Sequence, residues 1–429
     1  MLLLLACVGP KVPPLPDAVD TGYAASVVEG VGDAPPRPCP APDDLYTDDC
    51  VVRYDLELAE EDLATMRATY DAAVASCATV ATEVLRAVHP ATLRYGDQTL
   101  AVGLRLKGNP CTFLAGGKMQ FRVDLDHVDP TSEFHGVTSL NLESANYDPT
   151  LVKNGLALAV FRDVDGLVAP DANHAAVYIN GAFYGVFENV EQINGTFLEN
   201  HFDEPDGNLY WFIWNGHFGS LETNTDIGDT SDWDAMEALV NATPGTVSSE
   251  EFGPRFRELV DVDQLLLVFA AEAVVPQTDG VWAGSANCYL YNEPGRGFVY
   301  LPWDLDSAFT QPPAELCPAC GTLPDTVDAD PITFITGRGP AAKWRAWDLL
   351  MAIPEERARY LVALRRVLDE AFDPATLVAR HEATLARIEP YVQDDPFVDR
   401  ALYDAENAEL LAFYEERRAF MEGWLEAER

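Results

Sequence analysis

Ala175-Ala176-Val177-Tyr178-Ile179-Asn180-Gly181-Ala182-Phe183-Tyr184-Gly185-Val186-Phe187-Glu188-Asn189-Val190 is the stretch on which the fold turns. Two apolar runs meet at Asn-Gly, the preferred centre of a two-residue hairpin because both residues accept positive φ. The spacing predicts strands over 175–179 and 183–190. Toward the N-terminus a second hairpin is expected at 91–95 and 99–107 around Gly96-Asp97, with a strand at 51–57 and a helix over 60–82 before it. A third strand is expected at 118–126, beyond the Gly116-Gly117 loop. Asp148-Pro149-Thr150 reads as the N-cap and first turn of a helix carrying Lys153, Asn154 and Arg162. Toward the C-terminus the period becomes helical at 232–241, 249–259 and 262–275. Two short strands at 287–291 and 297–301 follow, then amphipathic helix from 341 onward, broken near Pro354, Pro374 and Pro390. The expected class is α+β, with a sheet-rich part over 51–192, a mainly helical part over 193–340 and a helical extension over 341–429.

The 429 residues carry 70 Asp plus Glu against 28 Lys plus Arg, a formal net charge of −42. That balance excludes a nucleic-acid surface, which needs a basic footprint. No apolar run reaches the roughly 18 residues of a membrane-spanning helix. The chain has five lysines: Lys11, Lys107, Lys118, Lys153 and Lys343. With Arg94, Arg105, Arg122 and Arg162, three of them make seven cations between positions 94 and 162, and none follows from 163 to 254. Such a cluster suits a compact anion such as a nucleotide phosphate; the alternative is pairing with surface acids such as Asp124, Asp126 and Asp129.

Leu4-Leu5-Ala6-Cys7 resembles a bacterial lipobox, and nine prolines follow between Pro10 and Pro42. Residues 1–7 therefore read as a truncated lipoprotein signal and 8–50 as a semi-extended tether. The protein is expected to be exported and held at the bacterial envelope through a lipid on Cys7, its one membrane contact. Eight cysteines are too sparse for a disulfide framework. Cys39 with Cys50 and Cys317 with Cys320 are candidate pairs, free thiols being the alternative, and no second pair completes a zinc site at Cys317-x-x-Cys320.

Thr278-Asp279-Gly280 and Pro302-Trp303-Asp304-Leu305-Asp306 bracket the two short strands, with Asn287 at the start of the first. Carboxylate, amide and further carboxylates at adjacent strand ends hold a hard cation through oxygen while one acid stays available as a base. Phosphoryl transfer needs that set. The alternative is a turn, a strand cap and solvated loop acids. Trp303 and Leu305 favour a ligand, because unpaired charge is costly in apolar surroundings.

Arg105-Leu106-Lys107-Gly108-Asn109, Asn141-Leu142, Asn146-Tyr147-Asp148-Pro149-Thr150-Leu151, Val177-Tyr178-Ile179-Asn180-Gly181, Val190-Glu191-Gln192, Gly207-Asn208-Leu209-Tyr210, Asp279-Gly280, Asn287-Cys288-Tyr289-Leu290-Tyr291 and Pro302-Trp303-Asp304-Leu305-Asp306 together resemble, in order, the CotH family of spore coat protein H-like atypical kinases. The resemblance implies a bilobal, divergent protein-kinase-like fold. It implies transfer of the ATP γ-phosphate, with Mg²⁺ or Mn²⁺, to Ser or Thr of a secreted or surface protein substrate. By it Asp279 is the catalytic base and Asn287, Asp304 and Asp306 are metal ligands. Lys118 is the phosphate-contacting lysine, the turn with Lys107 and Asn109 lies near the nucleotide, and Lys153 is the basic residue of the N-lobe helix. Glu191 and Gln192 lie at the hinge, where backbone groups meet adenine. The chain is read as a monomer. Asp279 and Asn287 stand eight positions apart, more than in the nearest kinase-like pattern. A second reading keeps the scaffold without catalysis, as a surface or adhesion protein using the acids for Ca²⁺ or a protein partner. GxSxG and HExxH are both absent, which argues against a serine esterase or a zincin.

Overall fold

The computed structural model describes residues 39, 41–77, 80–131, 133–212, 218–221, 230–240, 247–283, 287–312, 316, 325–334 and 345–428. The lipobox with Cys7, most of the proline-rich stretch, Cys317 and Cys320 lie outside the described residues. Seven strands close into a barrel: β1 (Val52–Leu58), β2 (His89–Tyr95), β3 (Gln98–Leu106), β4 (Phe121–Asp124), β5 (Ser139–Glu143), β6 (Ala172–Ile179) and β7 (Ala182–Val190), in the order β1-β2-β3-β4-β5-β7-β6. Neighbours are antiparallel except β1 and β6, which run parallel with Tyr54 opposite Val177. The β6–β7 hairpin turns at Asn180 and Gly181, with φ of 52° and 82°.

Both faces of that hairpin are buried, which explains its nearly continuous apolar run. Ala175, Val177 and Phe187 fill the barrel, while Ala176, Tyr178, Val186 and Val190 pack outward into a second core. Helix α1 (Glu60–Ala75) and the short α2 (Thr82–Leu85) replace the single helix expected over 60–82. Just past α1, Cys77 is bonded to Cys111, a pairing the sequence does not suggest, whereas Cys39 pairs with Cys50 as expected.

The outward core is covered by α3 (Lys153–Arg162), α4 (Gly195–His201), α5 (Ser231–Val240), α6 (Ser249–Arg257), α7 (Val262–Val274), α8 (Arg345–Met351), α9 (Pro354–Ala371), α10 (Pro374–Val392) and α11 (Arg400–Ala427). A second sheet of β8 (Leu209–Phe212), β9 (Phe218–Leu221), β10 (Cys288–Glu293) and β11 (Gly297–Pro302) runs β11-β10-β8-β9. The molecule is α+β, as expected, with a large mixed sheet and eleven helices among the described residues.

Several boundaries differ from the sequence pattern. The helix expected from Asp148 starts at Lys153, because Asp148 first folds the chain into a turn. Its carboxylate accepts from the backbone N–H of Thr150 at 2.9 Å, Val152 at 3.1 Å and Lys153 at 2.9 Å. The strand expected at 118–126 shortens to β4, leaving Lys118 in the preceding loop. Pro390 lies inside α10, which continues to Val392.

Arg417 of α11 has no exposed surface and donates to four carbonyls: Ala273 at 2.5 Å, Val274 at 3.3 Å, Val327 at 2.7 Å and Ala329 at 2.8 Å. It thereby caps the C-terminal turn of α7, where carbonyls lack intrahelical donors. Burial pushes its guanidinium down to about 9. Arg417→Met keeps the bulk but strands these carbonyls. It should cost about 3–5 kcal/mol in urea unfolding; a loss below about 1 kcal/mol would contradict the capping role.

Candidate active site

The loop that follows α7 is folded back under it. Gln277 N–H donates to Glu272 O at 2.8 Å, and Trp282 N–H donates to the buried Glu272 carboxylate at 2.7 Å. Gly280 lies so close that a Cβ there would come 2.5 Å from Glu272 Oε2 and would displace that carboxylate. The half-buried Asp279 between them accepts a 2.9 Å hydrogen bond from the Asn287 amide.

The second loop leaves β11 and is strapped to its surroundings at three points. Gln277 Nε2 donates to Asp304 O at 2.8 Å, Leu305 N–H donates to Asn154 Oδ1 at 3.0 Å, and the fully buried Lys153 Nζ donates to Thr310 O at 3.0 Å. Asn287 and Asp304 both adopt left-handed backbone, φ 61° and 56°. Asn and Asp accept that conformation better than other non-glycine residues, and its appearance at two neighbouring candidate ligands marks a built site.

The acids crowd one another. Burial raises the Asp306 carboxyl well above the usual range, with repulsion from Asp304 and Asp279 adding to it. Asp304 is exposed to a water-sized molecule yet surrounded on most sides by protein. The exposure sets what can reach it; the surroundings set its charge. Burial raises its carboxyl, Lys107 opposes the rise, and Asp279 adds to it. Among the described residues no three His, Cys, Asp or Glu side chains converge as a metal cage. Two or three carboxylates with one amide have the composition of a Mg²⁺ site completed by phosphates and water.

The barrel supplies the facing wall. Leu104, Leu106, Phe121, Val123, Leu140 and Leu142 fill its interior. The opposite parity of β3, β4 and β5 puts Arg105, Lys107, Arg122, Asn141 and Glu143 outside, with Arg105 paired to Arg122 and Arg122 to Asn141. Lys107 bonds Glu143 and sits 5.2 Å from the Trp303 ring centroid. Burial lowers its amine to about 8; Asp304 opposes that, while Arg122 and Arg105 lower it further. Asp124 accepts from Arg105 at 3.1 Å and Arg122 at 2.8 Å.

Lys118 is placed differently from expectation. Its amine is 2% exposed, pairs with Asp395 at 2.9 Å and donates to Val186 O, so the lysine facing the acid set is Lys107. The physical reason is its loop position ahead of β4, with Gly185 admitting the Asp395 carboxylate, which a Cβ would approach to 2.8 Å. Asn109 is exposed and caps the Pro110–Thr112 turn by accepting from Cys111 N–H at 3.0 Å. Glu191 pairs with His201 at 3.0 Å and gives its own N–H to Asp171 O at 2.8 Å, so that N–H is already committed. Gln192 accepts from the Asn141 amide at 2.9 Å and donates to Tyr289 OH at 3.2 Å, joining β5 to β10. Asn154 and Glu272 also hold the site, and local spacing does not mark either as functional. An acid inside the run Leu265-Leu266-Leu267-Val268-Phe269-Ala270-Ala271-Glu272 was the available signal.

The profile of the CotH kinase protein family matches residues 104–421, from β3 into α11. This chain belongs to the CotH family. Inner spore coat protein H of Bacillus subtilis (strain 168) is 24% identical over 326 residues, covering 72% of this chain and 82% of that protein. The CotH match contains every candidate site residue, while β1 and β2, which close the barrel, precede it.

Burial raises the Glu272 carboxyl from 4.5 to about 8 against the N–H groups it accepts from. Between those values the unfolded carboxyl ionises while the folded one stays protonated, so its contribution makes stability fall as pH rises through the window. Glu272→Gln should remove that part of the pH slope in unfolding experiments, a difference on the order of a few kcal/mol. Equal slopes in variant and parent would show that Glu272 is not held as described.

Proposed function

We propose that this CotH protein is a protein kinase that transfers the ATP γ-phosphate to a Ser or Thr hydroxyl of a secreted or surface protein. The observation that carries the reading is Lys107, flanked by Arg105 and Arg122 on the barrel wall, beside Asp304 and Asp306, which in turn interact with the Asn287-bonded Asp279. In this reading the barrel is the N-lobe and the second sheet with its helices the C-lobe of a kinase-like fold. Lys107 binds phosphate oxygens after exchanging Glu143 for them, and Arg105 and Arg122 reinforce the local positive potential. Mg²⁺ or Mn²⁺ held by Asp304, Asp306 and Asn287 would supply neutralisation of phosphate charge. Asp279, oriented by the Asn287 amide, receives the hydroxyl proton. The hydroxyl oxygen bonds to the γ-phosphorus, the bond to the β–γ bridging oxygen breaks, and ADP leaves. Gln192 and Glu191 line the base end and Asn109 the turn above the phosphates, while Lys153 keeps the metal-bearing loop against α3.

The spore-coat relative supports a coat or surface-associated location, and the lipobox supports export with a lipid on Cys7 as anchor. No described helix is long and apolar enough to cross a membrane. A non-catalytic reading, with Ca²⁺ or a protein partner at the acids, draws on the Lys107–Glu143 pair, which leaves that amine engaged. Calcium binding without nucleotide binding in calorimetric titration would favour it.

Purified protein with labelled ATP and Mg²⁺ or Mn²⁺ should label itself or a Ser/Thr substrate. Asp279→Asn, Asp304→Asn and Lys107→Met should each reduce transfer by about 100-fold or more, with far-UV circular dichroism showing each variant folded. Lys118→Met should instead lose about 3–5 kcal/mol of stability, because it leaves Asp395 buried and unpaired. Transfer unchanged in Lys107→Met, or absent from the parent with every metal, would overturn the reading.

A further inference from the structure

A cavity of about 30 Å³, none of whose lining residues belongs to the acid set, lies between α3, β6 and α10, with Asp48 also on its lining. One wall is a face of α3 whose small residues Gly155 and Ala159 leave space beside Arg162. The opposite wall is Arg380, Thr384 and Arg387, which helical spacing puts on one face of α10. The floor is His174 of β6, 6% exposed. His174 Nε2 lies 2.6 Å from Leu151 O, and a carbonyl only accepts, so Nε2 carries the proton. Nδ1 is then an acceptor, and it is buried without a partner. Burial lowers the imidazole to about 4, with Arg387 among the charges adding to that, so the ring is neutral near pH 7.

Each arginine already has an acid beside it. Arg162 lies 3.3 Å from Asp171, Arg380 3.0 Å from Asp163 and Arg387 3.0 Å from Asp48. These contacts are partly solvent-facing and contribute little. Burial lowers the Arg162 guanidinium, Asp171, Asp48 and Asp163 oppose that and Arg380 adds to it, so a ligand anion enters by exchanging with these carboxylates. A ligand that fits must offer anionic oxygens to the guanidinium groups and one hydroxyl donor to His174 Nδ1.

We propose that this cavity is a binding site for a monohydrogen phosphate group, either free inorganic phosphate or the monoanion of a phosphorylated Ser or Thr side chain. Phosphate carries both the oxygens and the P–OH. Sulfate has the shape and charge but no hydroxyl at neutral pH, and so leaves Nδ1 unsatisfied. Occupancy ties α10 to α3, the helix whose Lys153 and Asn154 hold Thr310 and Leu305 of the Asp304 loop. The site is independent of the phosphotransfer reading.

Calorimetric titration of the full chain with inorganic phosphate, phosphoserine and sulfate, without metal or nucleotide, tests it. Saturable binding of phosphate or phosphoserine is expected, with sulfate weaker. The stronger of the two phosphate probes identifies the source. Arg380→Gln and Arg387→Gln should each weaken binding about tenfold, while Asp48→Asn, which removes a competing carboxylate, should strengthen it. Far-UV circular dichroism of each variant without phosphate establishes that it is folded. The proposal is overturned if neither phosphate probe binds, if sulfate binds as well as phosphate, or if folded Arg380→Gln and Arg387→Gln bind as the parent does.

Discussion

Opposition of Lys107 to Asp304 across the cleft is the interaction on which the account depends. Burial raises the proton affinity of Asp304 and Asp306, the charge of Asp279 adds to both and that of Asp304 to Asp306, and a site built from acids alone would stay protonated or open up. One lysine on the facing wall counters that repulsion for Asp304, and Asp304 in turn resists the loss of charge that burial imposes on Lys107. The pair works only if two separately cored parts of the chain hold their register. The barrel fixes Lys107 by the parity of β3. The acid loops are fixed by Glu272, Gln277 and Asn154, which together bond both of them, and by Arg417, which caps the helix from which the first loop emerges.

The sequence carried the parts of this that depend on local spacing. Asn180-Gly181 announced the β6–β7 hairpin because the turn chemistry is contained within two residues. The strands around Gly96-Asp97 and the acid motifs were legible for the same reason. Lys118 was misplaced because its partner, Asp395, lies 277 positions away and leaves no local trace. Two glycines and a lysine before an apolar run look like the start of a strand, yet the chain does not enter β4 until Phe121. The Cys77–Cys111 bond was equally invisible, since spacing does not determine pairing. Asp148 misled by one turn because its carboxylate serves the backbone before the helix as well as at its first residue.

Charge sorting along the chain also takes a more specific form. The cations between positions 94 and 162 do not form one cluster. Arg105, Lys107 and Arg122 share a barrel face toward the acids, Lys118 and Lys153 are buried ties, and Arg162 turns toward α10 and joins two arginines from the C-terminal part. In a chain with an excess of 42 acidic charges, Arg105, Lys107, Lys118, Arg122, Lys153 and Arg162 are engaged in named contacts with defined geometry. The acidic remainder serves as solvated surface.

The scarcity of lysines makes the central claim directly readable. Amine acetylation at limiting reagent, followed by peptide mass spectrometry, reports Lys107 and Lys118 separately in the free protein and with ATP and Mg²⁺ or Mn²⁺. Lys107, whose amine is lowered to about 8 and whose side chain keeps 15% of its surface exposed, should label in the free protein and be protected by nucleotide. Lys118, 2% exposed and paired with Asp395, should stay unlabelled in both. Nucleotide that leaves Lys107 labelling unchanged, or labelling of Lys118 that nucleotide suppresses, would contradict the account.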